Sequence, residues 1–186
     1  AKIITQSSGL SDCSSLTVNG IYNYKIVTEN KDLDLALLAP EQVLKPLSVI
    51  EYTTTMPKIG EQVALSSFPY QGKLNRSTLT DGTVRELEDL RGDKRKFRIS
   101  IPVNPGDSGG GLFDLSGNFI GLLLADPSAI NLDAQIVLKA REITKFLSEI
   151  GLSELKRSYR AEPLDLRQID SMANRVTALI NCWEQY

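Results

Sequence analysis

The feature that most constrains this chain is a series of short runs rich in β-branched and aromatic residues, each closed by turn chemistry. The runs are Ser15 to Val18, Tyr22 to Thr28, Leu35 to Leu38, Gln62 to Ser66, Ser77 to Leu87, Lys96 to Ile101, Leu112 to Asp114 and Phe119 to Leu124. Asn19-Gly20, Asp81-Gly82 and Ser116-Gly117-Asn118 supply residues that tolerate the positive φ of tight hairpins. Many short strands at this spacing specify a sandwich or a barrel. Residues 1–138 are therefore expected to be mostly β. After them the period changes. Ile143, Phe146, Leu147 and Ile150 fall on one face of a helix that starts near Lys139 and ends at Gly151. Residues 152–163 read as a charged loop, and Leu166, Ile169, Met172, Val176, Leu179 and Trp183 fit a helix. Val176 to Trp183 fits a strand equally well, so the expectation there is a short helix followed by a terminal strand.

At 186 residues the chain can bury a sizeable core, as one all-β unit or as two small barrels sharing an interface. A formal net charge of -2 with 24% charged residues gives no electrostatic basis for binding nucleic acid or an anionic membrane, so a protein or peptide is the expected partner. The run Arg91-Gly92-Asp93-Lys94-Arg95-Lys96 reads as a solvated loop between strands. The apolar run Ile120 to Ala125 is far shorter than the roughly 18 to 20 residues that a membrane helix needs, so no membrane span is expected. The sequence opens at Ala1 within what reads as a strand, Ala1 to Thr5, which implies sequence upstream of it. The two cysteines, Cys13 and Cys182, admit two readings: a bridge in an exported protein, or two buried thiols. Two distant cysteines without a histidine do not form an ordinary metal site, and neither metal nor cofactor is expected.

One segment carries a chemical pattern. In Asn104-Pro105-Gly106-Asp107-Ser108-Gly109-Gly110, glycines flank a serine. Such glycines let the backbone turn tightly, present the hydroxyl outward and aim main-chain N–H groups at one point in front of it. That is the geometry of a nucleophile beside an oxyanion hole. Asp107 reads as a structural residue fixing the loop through a buried partner.

In this context the chain resembles the trypsin-like, chymotrypsin-fold serine endopeptidases, and among them the bacterial high-temperature-requirement branch. Asp34-Leu35-Ala36-Leu37-Leu38 resembles the segment carrying the family's triad aspartate. Gly60 to Leu65, Phe68-Pro69 and Thr80 to Val84 resemble the opening of its second barrel. Pro105 to Asp114 and Gly117 to Gly121 resemble the nucleophile loop and the hairpin after it. The family's histidine segment aligns without a gap to Ile3-Ile4-Thr5-Gln6-Ser7-Ser8-Gly9-Leu10, and Ser8 then stands at the histidine position in a chain with no histidine at all.

The resemblance implies an all-β, two-barrel fold with a C-terminal helix, lacking two N-terminal strands of the first barrel. The implied parts are a partial first barrel over 1–56, a second barrel with the nucleophile loop over 57–138, and a helix and tail over 139–186 that pack back on the barrels. It implies Ser108 as nucleophile, Asp34 as orienting acid and the N–H groups of Gly106 and Ser108 as oxyanion hole. It places the primary specificity wall near Ile101, Pro102 and Val103 and the strand from Leu122 to Ala125, with Leu123 and Leu124 as substrate-binding residues; this apolar wall suits a small or medium apolar side chain. It sets Cys13 beside the site strand and Cys182 on a terminal strand, which favours the bridge and export to a periplasm or cell exterior.

A serine hydroxyl is a weak nucleophile until a base takes its proton, and an aspartate without an imidazole has nothing to orient. The expectation is an inactive or severely impaired peptidase domain, with peptide binding possible. Two alternatives stay open: an active endopeptidase whose histidine lies upstream of Ala1, and a structural or interaction domain with a filled cleft.

Overall fold

The computed structural model describes residues 1–53, 55–124, 135–152 and 160–184. Among these residues eleven strands form two β units. The first is an open five-stranded sheet of β1 (Ile3–Gln6), β2 (Ser15–Val18), β3 (Tyr22–Asn30), β4 (Leu35–Pro40) and β11 (Ile180–Trp183), in the order β1-β4-β3-β2-β11. The second is a closed barrel of β5 (Gln62–Ser67), β6 (Thr78–Glu86), β7 (Lys96–Ile99), β8 (Gly111–Asp114), β9 (Phe119–Leu124) and β10 (Gln135–Lys139). All ladders of both units are antiparallel. The two-barrel architecture is thus present, with the first unit a half-barrel.

Alternation along the strands divides the core. In β4, Leu35 and Leu37 face the seam between the two units and the helices, while Ala36 and Leu38 face the interior of the sheet with Leu16, Val18 and Tyr24. The closed barrel is filled by Val63, Leu65, Val84, Phe97, Ile99, Leu112, Leu123 and Val137. Helix α1 (Ala140–Glu149) packs Ile143, Phe146 and Leu147 into the seam. Ile150, expected on the same face, lies past the helix end and is exposed. Helix α2 (Leu166–Ala173) starts at a capping box, with Asp165 accepting from the Gln168 amide and the Gln168 side chain accepting from the Asp165 amide. It buries Ile169 and Ala173.

Two expectations need correction. Asp81-Gly82 is not a turn: β6 runs through it, with Asp81 opposite Ala64 and Gly82 opposite Val63. Glycine is required there by close approach, because a Cβ at position 82 would lie 2.5 Å from Ile101 Cγ1 and 2.8 Å from the Ser100 carbonyl. The strand pattern expected from sequence also lacks β10, whose Gln135-Ile136-Val137-Leu138-Lys139 closes the barrel between β7 and β9. The first unit draws on both chain regions, since β11 pairs with β2 from Ile180 opposite Val18 to Trp183 opposite Ser15. Ala125 and residues 153–159 of the charged segment lie outside the described residues.

A disulfide joins Cys13 to Cys182 across a sequence separation of 169 and fastens β11 to the first sheet. The loop before β7 is ordered by ion pairs, with Arg95 bridging Asp93 at 2.8 Å and contacting Asp32 of the first unit. No helix among the described residues is long and apolar enough to cross a membrane.

Candidate active site

The site lies where the open sheet meets the barrel, and three backbone segments build it. β1 ends at Gln6 and passes into a single 3-10 turn, Ser8–Leu10. The turn before β4 carries Asp34, which takes the left-handed conformation (φ 54°) that aspartate tolerates better than most non-glycine residues. The third segment is the loop from Asn104 to Gly110 between β7 and β8.

The first two segments meet through one carboxylate. The Ser8 amide donates to Asp34 Oδ1 at 2.7 Å, the Ser8 hydroxyl donates to Oδ2 at 2.9 Å, and Gln6 Nε2 donates to Oδ2 at 2.6 Å. The Ser7 amide donates to the Asp34 carbonyl at 3.1 Å, which fixes the turn against β1. Gln6 is buried and Ser8 is exposed. The structure thus joins Ser8 and Asp34, residues 26 positions apart in sequence. Gln6 was not expected as a partner. Nothing in its type marks it, and only its place two residues before Ser8 on the same strand end points to it.

The loop from Asn104 to Gly110 is held from three sides. Asp107 is buried and accepts from the Ser67 hydroxyl at 2.7 Å and from the Asn104 amide at 2.6 Å, so Ser67 on β5 is the partner its structural reading required. From β9, the Leu123 carbonyl accepts from the Gly109 amide and the Leu123 amide donates to the Gly110 carbonyl, both at 2.9 Å. From the open sheet, β1 presses on position 109, where a Cβ would lie 2.5 Å from Thr5 Oγ1. Gly106 (φ 101°) and Gly109 (φ 79°) take conformations that side chains disfavour. Ser108 and Gly106 are exposed, and among the described residues neither amide, nor the Ser108 hydroxyl, has a hydrogen-bond partner.

Ser108, Gly106 and Gly9 border a cavity of about 990 Å³. Ile3, Ile4, Leu37, Phe113 and Phe119 contribute to its apolar lining, and the segment from Leu179 to Trp183 forms another wall. Pro102, Val103, Leu123 and Leu124 are not among its lining residues. Pro102 is exposed, whereas the Leu123 and Leu124 side chains are buried, the first inside the barrel and the second in the seam. Leu123 therefore touches the loop through its backbone. Among the described residues no group of carboxylates and cysteines forms a metal-binding cluster.

Residues 3–122 match the family model for the trypsin-like peptidase domain. This chain belongs to that family. Among curated relatives of the trypsin-like peptidase domain, serine protease Rv3671c of Mycobacterium tuberculosis is 27% identical over 168 residues, covering 82% of this chain and 40% of that protein. The uncharacterized protein y4bJ of Sinorhizobium fredii is 28% identical over 194 residues, covering 97% of this chain and 30% of that protein. The chain thus spans two fifths or less of the length of these relatives. The crystal structure of Rv3671c protease in an inactive form superposes with a TM-score of 0.63 at 26% identity, over 81% of this chain and 79% of that one. A mutant of the same protein, also in an inactive form, gives 0.63 at 24% identity, over 82% and 78%, a likeness of fold alone.

Proposed function

We propose that this trypsin-like peptidase domain binds peptides beside Ser108 but has lost the base that would make Ser108 a nucleophile. The observation that carries this reading is the Ser8 contact with Asp34: the residue hydrogen-bonded to the orienting carboxylate is a serine. An imidazole there would take the Ser108 proton and hold the resulting charge against Asp34. A serine hydroxyl has no proton affinity suited to that role near neutral pH. Loss of the triad histidine in a comparable enzyme costs on the order of a million-fold in turnover. The free amides of Gly106 and Ser108 support a retained oxyanion hole, and the open cavity at the loop supports a retained ligand site. The ligand class is peptide, by family. The Cys13–Cys182 bridge suits an oxidising compartment such as a periplasm or cell exterior.

A fluorophosphonate probe tests the reading, because it labels serine hydroxyls that a neighbouring base activates. The expected result is negligible labelling of the natural chain and labelling of the Ser8→His variant at Ser108, abolished by adding Ser108→Ala. Strong labelling of the natural chain at Ser108 would overturn the proposal.

A further inference from the structure

We propose that the place beside Asp34 is completed by the substrate, so that the chain cleaves peptides carrying a histidine on the acyl side of the scissile bond. The inference rests on the reading above and names the substrate class for that site. Five observations carry it. The chain contains no histidine. Among the described residues the Ser108 hydroxyl is unpartnered. A carboxylate offers about four acceptor positions, and Asp34 uses three of them on Ser8 N, Ser8 Oγ and Gln6 Nε2. Ser8 is short and exposed, so its hydroxyl can turn to water and leave a second position on Asp34 for an incoming ring N–H. Gly9 and Ser108 border the same cavity, and Gly9 adjoins Ser8, whose amide and hydroxyl hold Asp34.

The steps balance without any further reactant than water. One ring nitrogen of the peptide's histidine donates its N–H to Asp34. The other takes the Ser108 proton as Oγ bonds to the carbonyl carbon, and the oxyanion forms against the Gly106 and Ser108 amides. That proton passes to the departing amine as the C–N bond breaks. In the second half the ring takes a proton from water as the water oxygen adds to the acyl carbon. It returns the proton to Ser108 Oγ as the ester bond breaks. The second half explains the acyl-side requirement: a histidine on the amine product would leave after the first half and strand the acyl-enzyme.

The test uses pairs of internally quenched octapeptides that differ only by histidine or glutamine, with histidine stepped through the acyl-side positions. The natural chain is expected to cleave at least one histidine peptide about 100-fold faster than its glutamine partner, the lower end of what a positioned base contributes. The rate is expected to rise with pH through about 6.5, the ordinary imidazole value, and to vanish in Ser108→Ala. Ser8→His, carrying its own base, is expected to cleave both members of each pair. If Ser8→His cleaves and the natural chain treats histidine and glutamine peptides alike, this inference falls and the parent reading stands. If neither protein cleaves any peptide, this inference falls, and fluorophosphonate labelling of the natural chain at Ser108 decides the parent reading separately. Cleavage that persists in Ser108→Ala also overturns it.

Discussion

At the scale of single residues, the loop around Ser108 shows why its glycines are chemically specific. Gly109 combines a left-handed φ with a wall formed by Thr5 Oγ1, so any side chain is both strained and obstructed. At Gly9, across the cavity, an added Cβ would meet nothing within 4 Å, and the backbone there has an ordinary φ. Gly109→Ala is therefore expected to destabilise the protein by about 1–3 kcal/mol, the range for forcing extra volume into packed structure. Each kcal/mol lowers the melting temperature by about 2–4 °C at this chain length. Gly9→Ala is expected to leave thermal melting within about 2 °C of the natural protein; equal melting of the two variants would contradict the argument. Much of this site could be read beforehand, because glycine spacing around Ser108 encodes backbone shape directly. The Ser67 and Gln6 contacts could not, because a polar side chain in a strand does not state which distant donor or acceptor it will meet. The left-handed turn at Asp34 was hidden for a related reason: its carboxylate and carbonyl are fixed by Ser7, Ser8 and Gln6 of another segment.

At the scale of elements, strands with their own turn chemistry were legible and those defined by their neighbours were not. β2 and β9 have the bounds expected from sequence, since each is flanked by a turn that forces an end. β10 runs from Gln135 straight into α1 at Ala140, and its apolar run suits a buried strand or a helix equally until β7 and β9 supply ladder partners. The false turn at Asp81-Gly82 is the converse, since a glycine required by a neighbouring backbone looks in sequence like one required by positive φ. β11 is the element most dependent on a covalent tie. Its strand holds four residues, Cys182 and Trp183 are exposed, and the bridge to Cys13 secures it. Replacing both cysteines by serine is expected to cost about 2–5 kcal/mol, consistent with removal of a native bridge closing a long loop. Trp183 is the only tryptophan, so its fluorescence reports on β11 directly. In urea its transition is expected to shift to lower concentration in the double variant; coincident midpoints for variant and natural protein would show that the bridge contributes nothing.

At the scale of the whole molecule, the two units are held by the shared seam and by the Arg95 contact that spans Asp93 and Asp32. The Arg95 side chain lowers the Asp93 carboxyl pKa below its ordinary value. A carboxyl depressed in the folded state contributes stability that is full above the unfolded value near 3.9 and is lost as pH falls through the lower, folded value. Asp93→Asn is therefore expected to flatten the fall of stability with acid below about pH 4, measured as urea midpoint against pH. An unchanged acid profile would remove Asp93 from the balance. The architecture as a whole was legible because paired turn signals and alternating strands specify barrels; the cavity was not, since it is a property of how two units meet. The pairing of β2 with β11 also orders events in time. The closed barrel and its supporting α1 occupy contiguous sequence from Gln62 to Glu149, so every ladder of that barrel can form within one stretch of newly made chain. β2 pairs with a strand far later in the chain, Ser15 lying opposite Trp183, and the adjoining Cys13–Cys182 bridge spans a sequence separation of 169. Contacts so distant in sequence form slowly. The wall of the cavity that β11 supplies is thus expected to assemble after the closed barrel that carries Ser108 when the protein refolds.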